Sequence, residues 1–101
     1  MSLLKIHIYL TETGKAPFLT WLNALDTKTR TIIRSRIDRV CLGNFGDSKP
    51  IKNGLGLCEL RIDYGPGYRV YFGLRGTAIV ILLLGGDKST QQKNMALAKN
   101  K

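Results

Sequence analysis

Apolar and polar residues alternate one for one along three stretches of the chain, and that alternation predicts strands with one buried face. In Leu4–Leu10, Leu4, Ile6, Ile8 and Leu10 fall on one side and Lys5, His7 and Tyr9 on the other. In Leu57–Tyr64, Cys58, Leu60, Ile62 and Tyr64 oppose Leu57, Glu59, Arg61 and Asp63. In Tyr68–Leu74, Tyr68, Val70, Phe72 and Leu74 oppose Arg69, Tyr71 and Gly73. Gly65-Pro66-Gly67 is a short turn, so the last two runs form an antiparallel hairpin. Pairing Tyr64 with Tyr68 sets Arg61 across from Tyr71 and Asp63 across from Arg69. One face of the hairpin is apolar, and the other gathers Glu59, Arg61, Arg69 and Tyr71. Ala78–Leu84 is apolar without interruption, which predicts a strand covered on both faces and central in the sheet. Ser48–Lys52 reads as a short strand, and Pro50 places it at an edge or near a strand end.

Between the first strand and these, the period lengthens to that of a helix. Phe18, Trp21, Leu22 and Leu25 make one apolar stripe behind Pro17, a residue suited to the first helical turn. Asp26 or Thr27 ends that helix and caps a second, from about Lys28 to Leu42. Its buried stripe is Ile33, Ile37, Val40 and Cys41, with Ile32 alongside, and its polar side carries Lys28, Arg30, Arg34, Arg36 and Arg39. Gly43 stops it. Ser89 or Thr90 caps a last, weakly apolar helix reaching about Lys99. The order is one strand, two helices, four strands and a helix: a single α+β domain spanning residues 1–101, with helices on one sheet face.

Charge changes this picture more than composition does. Sixteen basic residues against seven acidic ones leave a net charge of +9, which points to a polyanionic partner, nucleic acid first. The longest apolar run is far too short to span a bilayer, and Lys5 and His7 interrupt the apolar start of the chain. A cytoplasmic protein with no membrane partner is expected. Cys41 and Cys58 are isolated and His7 is the sole histidine, so the reading is two buried free thiols and no metal or other cofactor.

The candidate chemistry lies on the polar hairpin face. Arginine offers a planar fork that matches phosphate oxygens in pairs, so Arg61 and Arg69 are candidate phosphate ligands, with Lys88 following the central strand. Tyr71 is placed to stack on a base or donate its hydroxyl. Lys49, Lys52, Arg34 and Arg75 are candidate extensions of the basic surface; the bland alternatives are a solvated helix face and lysines guarding a sheet edge. Gly85-Gly86-Asp87-Lys88-Ser89 lacks the spacing of a P-loop. His7 reads as structural rather than as a general base.

The segments W-L-N-A-L, R-I-D-R-V, G-N-F-G-D-S-K-P, E-L-R-I, G-P-G-Y-R-V-Y-F and I-L-L-L-G-G-D-K-S-T-Q resemble the RelE/ParE superfamily of bacterial type II toxins. The nearest likeness is to the HigB-like, phage-derived addiction module killer proteins, from Phe18 to about Ala98. The resemblance implies an antiparallel-rich sheet with two N-terminal helices packed on one face and a short C-terminal helix. It implies a toxin held by a cognate antitoxin, usually a helix-turn-helix protein. It also implies a metal-independent endoribonuclease that cuts mRNA on the ribosome by attack of a ribose 2′-hydroxyl on the adjacent phosphate. Carried over by position, the catalytic set is Arg69, Arg61 and Lys88, with Tyr71 beside them. Glu59 stands where RelE-like enzymes carry a lysine, and the general base stays open among Tyr71, Lys49, Lys52 and Glu59. Two rival functions share the fold: a ParE-like inhibitor of DNA gyrase without nuclease activity, and a basic module that only binds an antitoxin.

Overall fold

A computed structural model describes residues 5–51, 56–75 and 79–87. Among these, five strands form one sheet in the order β1-β5-β4-β3-β2. The strands are β1 (Lys5–Ile8), β2 (Ser48–Pro50), β3 (Leu57–Ile62), β4 (Tyr68–Arg75) and β5 (Ile79–Asp87). Two helices, α1 (Pro17–Asn23) and α2 (Thr27–Cys41), lie between β1 and β2 in the chain.

Local chemistry sets the helix ends. Pro17 opens α1, and Asp26 caps α2 by accepting from the Thr29 N–H at 3.2 Å and the Thr29 hydroxyl at 2.6 Å. Those two donors hold the Asp26 carboxyl below its ordinary pKa. At the other end Gly43 takes φ 87°, with Asn44 N–H donating to Arg39 O at 2.9 Å and Gly43 N–H to Val40 O at 2.9 Å. That pair of bonds is a Schellman stop, which a residue with a Cβ enters only with strain.

Phe18 and Leu22 of α1 and Ile33, Ile37 and Val40 of α2 pack on Leu60, Ile62, Val70, Phe72 and Leu82 of the sheet to make the main core. Trp21 lies across Gly85, where any Cβ would run into the indole ring. Glycine at that point in β5 is what lets α1 approach the sheet.

The sheet corrects the fold expected from the sequence. It is mixed: β1 runs parallel to β5, with Lys5 opposite Ile79 and Ile8 opposite Leu82. Alternation in the first strand announces a half-buried strand but says nothing of which neighbour it joins. β5 is interior, flanked by β1 and β4, while β4 holds the middle of the sheet. The expected C-terminal helix lies outside the described residues.

The hairpin register is also corrected. Ile62, not Tyr64, pairs with Tyr68, because residues 63–67 all serve as the connection, with Gly65 and Gly67 at positive φ. A shift of two residues keeps every side chain on its expected face but changes its neighbours. Arg61 now lies directly across from Arg69, and Glu59 across from Tyr71.

A β-bulge makes the second departure. Tyr71 pairs with Leu84 but Phe72 with Leu82, leaving Leu83 as the extra residue. The bulge turns Leu83 and Leu84 to the same side, away from the helices. There they form a second small core with Tyr71 and Ile51, flanked by Tyr9 and Leu57.

Candidate nucleic-acid interface

The sheet face opposite α1 and α2 carries two rows of side chains. One row crosses Lys49, Glu59, Tyr71 and Leu84; the next holds Arg61, Arg69 and Gly86. Two arginines directly opposite on neighbouring strands repel, so their pairing costs stability unless carboxylates or a visiting anion sit beside them. Both carboxylates are present. Arg61 Nη2 donates to Asp47 Oδ1 at 2.9 Å, and Arg69 Nε lies 3.9 Å from Glu59 Oε2. The first pair is open to solvent, with side-chain exposures of 36% and 54%, while the second is largely covered, at 12% and 2%. The Nε atoms of both arginines are buried and lack a hydrogen-bond partner among the described residues.

Arg61 and Arg69 line one open cleft of about 360 Å³ with Asp47, Asp63 and the turn Gly65-Pro66-Gly67. The turn forms one wall because Gly65 and Gly67 supply left-handed backbone there. Asp47 reaches the cleft from the loop after α2, whose Phe45 stacks on Phe72 in the main core at 6.3 Å between centroids. The site therefore hangs on both cores: the loop is pinned on the helix side and its carboxylate delivered on the other.

Tyr71 is not presented to a ligand as expected. It is fully buried in the second core, at 0% exposure. Burial pushes its hydroxyl pKa up, the Glu59 carboxylate beside it pushes further, and Arg69 only partly offsets them. The phenol thus stays protonated at physiological pH, and its oxygen makes no close hydrogen bond among the described residues. Glu59 is 1% exposed and sits beneath Arg69 rather than in the cleft. The period-2 pattern put both residues on the polar face correctly; the bulge that covers that face left no mark in the alternation.

The remaining candidates scatter. Lys49 is exposed on edge strand β2, opposite Glu59 and one row from the arginines. Arg34 lines a different groove, of about 250 Å³, with Phe18, Leu22, Ile37 and Leu82 on the helix side of the sheet. Arg75 ends β4 six residues from Arg69, about 20 Å along the strand. Lys52 and Lys88 lie outside the described residues. His7 is exposed on β1, opposite Ile81 at the far edge of the sheet. Cys41 and Cys58 are free thiols but half-buried rather than buried, and burial raises the pKa of both. The sequence reading missed Asp47, the carboxylate in contact with Arg61; the signal was its place in G-N-F-G-D-S-K-P, between a helix stop and an edge strand.

No helix of the described residues is long and apolar enough to cross a membrane. The chain is 48% identical over 83 residues to a Haemophilus influenzae protein described as uncharacterized, a match covering 81% of this chain and 82% of that protein. Residues 20–100 match the family model described as phage derived protein Gp49-like (DUF891). That match takes in both helices from Thr20 onward, the loop bearing Asp47 and the whole arginine hairpin, and the chain accordingly belongs to the Gp49-like family of phage-derived proteins.

Proposed function

We propose that this protein is the toxin of a type II toxin–antitoxin pair and acts as a ribosome-dependent mRNA endonuclease. The Gp49-like family is associated with toxin–antitoxin toxins, and such a toxin implies an antitoxin partner. The observation that carries the nuclease reading is the direct opposition of Arg61 and Arg69 across the hairpin, at the wall of an open cleft. Two guanidiniums held side by side suit a phosphodiester. In the reaction, a ribose 2′-oxygen bonds to phosphorus and the bond to the 5′-oxygen breaks. The 2′-hydroxyl proton leaves to a base, the 5′-oxygen gains one, and a 2′,3′-cyclic phosphate remains. The phosphorane passed on the way carries additional negative charge. Fixed donors aimed at such charge contribute about 10²–10³ in rate each.

Arg69 is the better fixed of the two, being largely covered and beside Glu59; Arg61 is the more open and the better placed to meet incoming phosphate. Tyr71 and Glu59 act here through Arg69, from beneath it. Lys49 on the neighbouring strand extends the track along the face, and Lys88 follows Asp87, the β5 residue paired with Tyr68.

The test is primer-extension mapping of mRNA 5′ ends in a translating extract, with and without ribosomes. The wild-type protein is expected to produce new ends only with ribosomes. Arg69→Lys keeps a cation beside Glu59 but loses the planar fork, so it is expected to stay folded and to cut about 10²-fold more slowly. Intact mRNA together with stalled replication would replace this reading with gyrase inhibition.

A further inference from the structure

The cleft proposed for RNA phosphate already holds an anion belonging to the chain. Asp47 Oδ1 sits 2.9 Å from Arg61 Nη2, the distance of a charge-assisted hydrogen bond. A phosphate seeking the same fork must displace it. The contact is built to exchange. The Asp47 backbone is fixed, because its carbonyl accepts the Arg61 N–H at 2.8 Å and Phe45, two residues earlier, is stacked on Phe72. The side chain is free to turn, being 54% exposed. Arg61 can therefore trade carboxylate for phosphate by side-chain rotation alone, with the strand and loop unmoved. Asp63 lines the same cleft and is exposed, but makes no ion pair among the described residues. Of the two carboxylates that line the cleft, Asp47 is the one paired with an arginine among the described residues, while Glu59, the partner of Arg69, is buried.

We infer that Asp47 is an internal competitor that holds Arg61 until a phosphodiester takes its place. This rests on the reading of the cleft as an RNA site. A lone small anion gains one fork and loses one carboxylate contact, so the exchange brings it little. A polynucleotide that also engages Arg69 gains a second cation with no carboxylate to displace from the open cleft. The competitor thus lowers the affinity of any anion for Arg61, a loss that a polynucleotide offsets through its contact with Arg69.

The experiment measures equilibrium binding of a short fluorescent 2′-O-methyl RNA, which lacks the attacking hydroxyl, by anisotropy. The proteins are wild type, Asp47→Asn, Asp63→Asn, Arg61→Ala and the Asp47→Asn/Arg61→Ala double variant. Asparagine keeps the backbone carbonyl and the side-chain shape, and melting curves verify the fold. Asp47→Asn is expected to bind about 2- to 5-fold more tightly than wild type, the scale of an exposed ion pair. Asp63→Asn changes net charge equally and is expected to gain less. In the Arg61→Ala background, Asp47→Asn is expected to lose its advantage. Equal gains from both asparagine variants, with Arg61→Ala still weakening binding, would overturn the competitor and leave the RNA site standing. Binding indifferent to Arg61→Ala, or absent from every variant, would remove the RNA site and the competitor with it.

Discussion

The two faces of the sheet are both covered with side chains, but by different means and to different ends. The helix side is closed by α1 and α2, and its buried residues are aliphatic and aromatic: Phe18, Leu22, Ile33, Val70, Phe72 and Leu82. The other side mixes apolar and ionic burial within two adjacent rows, with Tyr71, Leu83 and Leu84 next to Glu59, Arg69 and Arg61. A purely apolar face gains stability from every group it hides. A face that hides a carboxylate and most of a guanidinium gives up part of that gain to desolvation, which a 3.9 Å pair recovers incompletely. The contrast teaches that the first face holds the domain together and the second positions charge.

Mutations can break or sharpen that contrast. The largest effect belongs to the helix side. Phe72→Ala empties a 1%-exposed position that also supports Phe45, and thermal unfolding is expected to show a loss of about 3–5 kcal/mol. On the other face, Arg69→Ala removes the cation beside the buried Glu59 carboxylate. A loss of about 3 kcal/mol is expected, and Glu59→Gln in the same chain should return much of it. If Glu59→Gln returns nothing, the pair is not what holds that face in balance.

Gly85→Ala drives a Cβ into Trp21 and is expected to cost about 1–3 kcal/mol by pushing α1 from the sheet, with loss seen first in near-ultraviolet signals from the indole. The smallest effect is one of pH. The Tyr71 hydroxyl has its pKa raised in the folded state, so its contribution is complete below the unfolded phenol value of about 10 and lost as pH climbs beyond it. Tyr71→Phe should therefore flatten the alkaline fall in stability, as denaturant titrations at several pH values would show.

Much of this was legible in the residues. Period-2 alternation put Arg61 and Arg69 on the side away from the apolar one, and the helix stripe of Phe18 and Leu22 is the core that formed. Pro50 marked β2, the edge strand. What stayed hidden depended on neighbours rather than on period. The five-residue connection after Ile62 shifted the register by two, which no face pattern records. The bulge at Leu83 turned a solvated face into a partly buried one and took Tyr71 with it. The parallel join of β1 to β5, and the reach of Asp47 across to Arg61, link residues far apart in the chain. The same distance in space separates Arg34 from the cleft: the sequence grouped it with the hairpin arginines by charge, and the sheet stands between them.

That last separation gives the most direct test of the central claim, that the arginine face opposite α1 and α2 is where RNA is engaged and cut. Arg61→Ala and Arg34→Ala remove the same charge from opposite sides of the sheet. In a ribosome-containing extract, counting new mRNA 5′ ends over time should show Arg61→Ala greatly slowed and Arg34→Ala close to wild type. Cleavage that survives Arg61→Ala and fails with Arg34→Ala would place the active surface on the helices and contradict the account.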